Sequence, residues 1–512
     1  MIAEIIFLLG FTASLVFRLF YVSHFNFAFT IDQARDMLEI RQIAVGHNMA
    51  FIGPVTSLNG VFLGPFWFYF NLLPFLVGGG NPTSLAFWQV IFFHLSVLIF
   101  WSYFRKKNHP FSFWGSLFFL ISPRLFETTT YSFNANTTPG FVLLTMILLF
   151  HILHTKKQPL TFLLGLLVGL TMQIEILFGA LLLPLSLYWL FSKKIKRSFR
   201  FLIGFCLTLI PQILFEVKHG FAMSRVIIAE VSGHSDILGD KLTLGQRLVD
   251  RYDNYLGVLR STLPFGRFSV WVFLIAVVLI VFLFLKRKIS LRSKTLFLTS
   301  FSLLLISIVV FLLYPGRLKD WWTVGLSIPF ILISALSFSL LFQSKKIIFR
   351  FAGLVFIVYF CFSVLTYYQS IIHQRLSQRS TDRALLLNQI DAIDLVYKQA
   401  GGKGFKVYDY SPAVYDYNYQ YLFWWYGLKR YGYLPEAVTY QDNVPPYIEN
   451  NAFYWHNARP ATELTFLIIE SDPNHLEKEK SWRANFNAFC SDKSILTGGI
   501  VVEALESCVP KK

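Results

Sequence analysis

The sequence is poor in cysteine, in charge and in acid. Four cysteines among 512 residues cannot staple a disulfide scaffold. None joins His, Asp or Glu at a spacing that would hold zinc, and His24 and His47 stand isolated. No obligatory metal or other cofactor is expected. Cys206 and Cys361 fall in apolar runs and are expected to be packing residues. Cys490 and Cys508 lie in a polar tail and are free to pair if that tail is outside the cytoplasm. Charged residues make up only 15 % of the chain, less than in an ordinary soluble domain. The first apolar run, Ile2 to Tyr21, has no basic stretch before it and no small-residue cleavage site after it. It reads as a membrane helix and not as a removable leader. Internal repeats and low-complexity tracts are absent too. That argues against a transporter or flippase, which should show paired repeats.

What the chain has is apolar surface: 55 % hydrophobic residues, with 56 Phe. Many runs approach the ~20 residues that a helix needs to cross a bilayer. About eleven spans are predicted, near 2–22, 83–104, 110–126, 139–155, 159–174, 175–192, 199–216, 268–285, 295–314, 321–342 and 347–368. The net charge of +17 suggests a nucleic-acid partner, but the basic residues sit in short loops between apolar runs. Arg105 to Lys107, Lys156 and Lys157, Lys193 to Arg200, Lys286 to Lys294 and Lys345 to Arg350 all fall on one side by span count. This is the positive-inside pattern of a multi-pass protein of the plasma membrane. It places the N-terminus inside, and the loops 23–82, 127–138, 217–267 and 315–320 outside. The scheme holds only if 61–78, which carries Gly64, Pro65 and Pro74, lies along the outer surface and does not cross. The chain thus divides into a membrane region, 1–370, and a soluble extracytoplasmic α/β domain, 371–512. There, 381–401 has helical periodicity and ends in Gly, and 405–412 and 464–471 read as strands.

The loop 23–82 clusters charge in a chain that has little. Asp32, Arg35, Asp36 and Glu39 share one face if 31–43 is helical, and Arg41 follows. A solvated helix with internal ion pairs would show the same spacing. This cluster, however, lies where a bilayer-dissolved substrate presents its head group. Gly-Pro loops surround it.

These pieces carry a resemblance. IDQARD (31–36), GPVTS (53–57) and GPFWFYF (64–70) are similar in order and side to the GT-C glycosyltransferases. More closely, they resemble the family-39 group of protein O-mannosyltransferases and lipid A aminoarabinose transferases. SPRLF (122–126), NAN (134–136) and YPGRLKDWW (314–322) match more loosely. The resemblance covers about 1–370.

It implies a GT-C-like membrane fold and a donor sugar carried on a polyprenyl phosphate. A carboxylate in the first external loop would deprotonate the acceptor hydroxyl, which displaces the phosphate with inversion. Asp32 matches the family's base, and Asp36 is the alternative. The leaving phosphate needs cations, and Arg35, Arg124, Arg317 and Lys319 lie on the outer side, against the basic-inside trend. Relatives carry a second acidic or polar position in the next external loop. Glu127, Asn134 and Asn136 stand there, without a clear match for the family's acid, so the resemblance leaves a divalent metal undecided. Gln173 and Glu175 sit between two apolar runs, and an ionisable group at that depth is a functional candidate. The implied partners are the lipid-linked donor, the bilayer, and an acceptor that is glycan, lipid or protein, with no nucleic acid. A ligase of lipid-linked glycans is the neighbouring enzymatic reading.

Overall fold

The computed structural model describes residues 2–58, 60–232, 241–343, 347–377, 380–412, 416–441, 451–462, 464–487 and 489–507. The Cys490–Cys508 pairing falls outside these residues.

The chain opens with α1 (Ile2–Ser23), α2 (Ile31–Ala44), α3 (Phe66–Val77) and α4 (Pro82–Phe104). Then come α5 (His109–Ile121), α6 (Pro123–Thr129), α7 (Thr138–Thr155), α8 (Leu160–Ile174), α9 (Ile176–Ser192), α10 (Phe199–Thr208) and α11 (Ile210–Lys218). After α12 (Ala222–Val231) and α13 (Leu244–Thr262), the long apolar helices resume with α14 (Ser269–Leu285), α15 (Leu291–Leu313), α16 (Ser327–Gln343) and α17 (Ile347–Ile371). The last part holds α18 (Leu386–Ala400), α19 (Tyr417–Leu422) and the strands β1 (Phe405–Tyr410), β2 (Ala437–Thr439), β3 (Leu464–Ile469), β4 (Phe489–Thr497) and β5 (Ile500–Ser507).

Among the described residues, seven helices are long and apolar enough to cross a membrane. They are eight if α10 and α11, bent by 59° at their junction, form one span. α8 and α9 are shorter apolar helices. The sequence places a span at 110–126, but the chain breaks there at Ser122-Pro123, whose ring cannot continue the α5 ladder. α3 has 12 residues and is therefore about 18 Å long, well short of a ~30 Å hydrocarbon core. This is a multi-pass membrane protein. Cys206 and Cys361 are free and exposed on their helices and not packed inside, contrary to expectation.

The chain forms two compact units. The first comprises Met1–Leu19, Met49–Leu73 and Ala86–Gln369. Its core is a Phe-rich cluster that includes Phe100, Phe118, Phe119 and Phe338. α16 runs through it almost wholly buried, with Ser327, Ser334, Ser337 and Ser339 hidden among the apolar side chains. Small residues let neighbouring backbones close up where no water drives them together. A Cβ on Gly165 would collide with the Phe201 carbonyl, and one on Gly204 with the Phe162 carbonyl. Gly165→Val should therefore force α8 and α10 apart and lower stability by about 2–4 kcal/mol, as overpacking against backbone does. A thermal midpoint equal to the parent's would refute the close packing. The α5–α6 corner is pinned by Arg18 of α1, which is 0 % exposed. Its guanidinium donates to the carbonyls of Leu120 (2.9 Å) and Leu125 (2.8 Å) and to Thr129 Oγ1.

The second unit comprises Phe20–Asn48, Pro74–Leu85 and Ser370–Lys512. Its sheet has the order β2-β1-β3-β5-β4. β1 runs parallel to β2 and β3, while β5 is antiparallel to β3 and β4. The predicted helix and both predicted strands are present as α18, β1 and β3. Gly401, in the left-handed region at φ 57°, ends α18. The β4–β5 hairpin turns on Gly498 and Gly499 at φ 54° and 80°, as a two-residue turn between twisted strands requires. The aromatic run 417–427 is interior, with Tyr419, Tyr421 and Phe423 buried.

Candidate active site

The helix that carries the charge cluster is built into the second unit. α2 covers the predicted segment. At its start the Gln33 side chain accepts the Thr30 N–H at 3.0 Å, half of a capping box that fixes where the helix begins. The strand-like residues before it are tied by backbone. Phe29 N–H donates to Ala384 O (2.8 Å) and Leu386 N–H to Phe27 O (3.0 Å). Asn418 and Gln389 both donate to the Phe29 carbonyl, at 2.7 and 3.2 Å. Ala34, Met37, Leu38 and Ile40 bury its apolar face.

Arg41 anchors the other end. It is 0 % exposed, its guanidinium lies 3.7 Å from the Tyr454 ring and 4.9 Å from that of Trp424, and burial lowers its pKa to about 10. Nine residues on from Asp32, it points to the opposite side of the helix.

Asp32, Arg35 and Asp36 lie on the side of the helix away from Arg41. Arg35 forks between the two carboxylates. Nη1 donates to Asp32 Oδ1 at 2.9 Å, while Nε and Nη2 donate to Asp36 Oδ1 at 3.0 and 2.8 Å. Burial alone would lower the Arg35 pKa, but the charges of Asp36 and Asp32 outweigh it and raise it. The two acids differ in access. The Asp36 side chain is 4 % exposed and that of Asp32 is 44 % exposed. One is committed to holding the arginine. The other keeps an open oxygen and can take a proton from a hydroxyl.

The remaining candidates belong to the first unit. Here the two Gly-Pro motifs come together. Gly53 N–H donates to Leu63 O, and Leu63 N–H to Pro54 O, both at 2.8 Å. Gln173 then receives the Phe66 N–H on Oε1 at 3.0 Å and donates through Nε2 to the Thr208 carbonyl. Both ends of its amide are spent on backbone, so it shapes the site and does not offer itself to a ligand. Asn134 donates to Ile174 O at 2.8 Å and Asn136 to Tyr131 O at 3.0 Å. The first bond holds the 130–137 loop against the α8–α9 turn, where Glu175 is buried at the start of α9. Glu127 accepts from Tyr367 at 3.1 Å.

Arg124 is already ion-paired. Its Nη2 donates to the Asp320 carboxylate (2.9 Å) and carbonyl (3.1 Å) and to Thr323 Oγ1 (3.1 Å). Arg317 and Lys319 are exposed in the 314–320 turn. Sequence reasoning missed Arg18 and Arg251. The usable signal was the same for both: an arginine inside an apolar run or on an amphipathic helix that no loop rule explains. Among the described residues, no group of three or more His, Cys, Asp or Glu is arranged to hold a metal ion.

Residues 63–215 match the family model of dolichyl-phosphate-mannose-protein mannosyltransferases. None of the curated proteins matches significantly. Among solved structures, ArnT from Cupriavidus metallidurans bound to undecaprenyl phosphate aligns at a TM-score of 0.56 and 10 % identity, over 97 % of each chain. Its apo form aligns at 0.56 and 9 %, over 98 % of each. The oligosaccharyltransferase AglB from Archaeoglobus fulgidus aligns at 0.44 and 13 %, over 93 % of this chain and 71 % of that one, too loosely to argue from. The chain has a GT-C-like fold, and its residues 63–215 bear the sequence pattern of the mannosyltransferase family.

Proposed function

We propose that this protein is a glycosyltransferase that moves a sugar from a polyprenyl-phosphate carrier to an acceptor hydroxyl at the extracytoplasmic face. The observation that carries the reading is the division of labour on α2: one buried acid holds Arg35, and one accessible acid remains. Asp32 accepts the proton as the hydroxyl oxygen bonds to the anomeric carbon. The carbon–oxygen bond to the phosphate breaks on the opposite face, inverting the centre and leaving polyprenyl phosphate. Negative charge then gathers on the leaving phosphate, where fixed cations count most. Arg317 and Lys319, exposed on their turn, are assigned that task, while Arg124 is assigned to bracing the turn through Asp320. Glu127, Asn134, Asn136 and Glu175 shape the acceptor side. The family match and the likeness to ArnT support the substrate class. The basic loops support the orientation, with the N-terminus cytoplasmic and residues 371–512 outside.

The test is direct. Purified protein is incubated with polyprenyl-phosphate sugars and lipid, glycan or peptide acceptors, and transfer is followed together with anomeric configuration. A retained configuration would overturn the mechanism. Arg317→Ala should raise the donor KM about 10- to 100-fold, the worth of a lost charge-assisted contact to phosphate. Unchanged affinity would remove Arg317 from the site. The step as written needs no obligatory metal, so EDTA should leave the rate unaltered. Loss of activity restored by a divalent cation would refute that.

A further inference from the structure

The turn that carries Arg317 is gripped from outside by α13, a helix that the transfer step does not use. α13 begins at Thr243, whose hydroxyl accepts the Gln246 N–H at 3.4 Å. From it, three side chains reach the last turn of α15 and the chain that follows it. Arg251 is 4 % exposed. Its Nε donates to Phe311 O at 3.0 Å, and its Nη2 to both Tyr314 O and Gly316 O at 2.7 Å. Its Nη1 meets the Asp250 carboxylate, which also accepts the Leu318 N–H at 3.2 Å. Arg247 donates to Leu312 O at 3.1 Å, and Leu242 N–H to Pro315 O at 3.0 Å.

These bonds share a property. Those to the turn end on backbone atoms of Phe311, Leu312, Tyr314, Pro315, Gly316 and Leu318, which bracket Arg317 on both sides. The carbonyls at the end of α15 have no helical partner, and a surface turn with its polar groups left to water is mobile. A guanidinium whose planar fork fits several carbonyls at once fixes such a turn better than a single donor would. Stability alone does not call for a buried cation, since apolar packing of similar volume serves as well.

We infer that Arg251, oriented by Asp250, is a positioning residue that fixes the 314–318 backbone so that Arg317 is held out toward the donor phosphate. The inference rests on Arg317 being the phosphate ligand proposed above. Two measurements on the full-length protein test it. A nitroxide attached at R317C should give a motionally restricted spectrum, and Arg251→Met or Asp250→Ala should make it mobile. In the enzyme with Arg317 intact, Arg251→Met should raise the donor KM about tenfold with kcat within about twofold. Arg251→Lys keeps the charge but not the fork and should recover only part of this. The double variant Arg251→Met/Arg317→Ala should be no worse than Arg317→Ala alone, because the clamp acts only through that side chain. Should Arg251→Met fail to fold, Asp250→Ala carries the same comparison. A label that stays restricted, or losses that multiply in the double variant, would overturn the inference alone. An unchanged donor KM in Arg317→Ala would overturn the phosphate assignment with it.

Discussion

Replacing Asp32 by Asn should lower kcat about 10²- to 10⁴-fold, the range that a positioned general base supplies. The donor KM should barely change. The amide keeps the size of the carboxylate and an oxygen for Arg35 Nη1, now bonded at 2.9 Å. What it loses is the capacity to hold a proton taken from the acceptor. The side chain is 44 % exposed, so the substitution should cost little stability. Asp36→Asn is the informative control. Asp36 is buried and takes two of the three bonds that Arg35 makes to the pair. Its loss leaves a half-buried guanidinium poorly matched, which costs stability as well as rate. Single-turnover measurements on both variants decide the matter. If Asp32→Asn turns over normally while Asp36→Asn is inert yet well folded, the base is Asp36 and the division of labour is reversed.

The second large effect is on stability and concerns pH. Three buried acids meet in the second unit: Asp409 at the end of β1, Asp416 before α19, and Glu470 after β3. Burial raises all three. Asp409 rises well above its ordinary value, pushed further by the charges of Asp416 and Glu470. Asp416 rises to about 6. Glu470 rises to about 7, although hydrogen bonds from Tyr419 (2.9 Å) and Gln389 (3.0 Å) favour its charged form. In the unfolded chain these groups titrate near their ordinary values, so between about pH 4 and 7 the folded unit binds more protons than the unfolded one. Stability from this source is complete below that window, falls as pH rises through the folded values, and then levels off. For Glu470, a rise from 4.5 to about 7 corresponds to roughly 3 kcal/mol. The expected result is a higher thermal midpoint at pH 5 than at pH 8. Glu470→Gln should flatten the slope. A midpoint that rises with pH across this range would refute the assignment.

Both predictions draw on features of unequal legibility. The extent of α2, the stop at Gly401 and the strands β1 and β3 could be read because each is a local pattern: helical spacing, a glycine, a short apolar run. The hairpin β4–β5 could not. β4 is an edge strand with Phe489 and Leu496 exposed, and its sequence does not separate from loop. The charge cluster was visible, but its partition into a holding acid and an open one was not, because burial depends on what packs over the helix. The pairing of Arg124 was not legible for a related reason. Its partner Asp320 lies 196 residues away, and no local rule pairs such positions. The clamp on the 314–318 turn is of the same kind, joining Arg251 to carbonyls some 60 residues on.

The backbone ties of Phe27 and Phe29 to residues 384–386 have a consequence for anyone exchanging parts among relatives. The C-terminal piece is not a detachable module that begins near residue 370, because a graft bringing only that piece would meet a foreign Phe20–Asn48 strap. Recombinant hybrids should therefore be joined at three places, before and after the strap and before the tail, moving strap and tail as a matched pair. Single-junction hybrids are expected to retain their bilayer helices and lose the seat of Asp32.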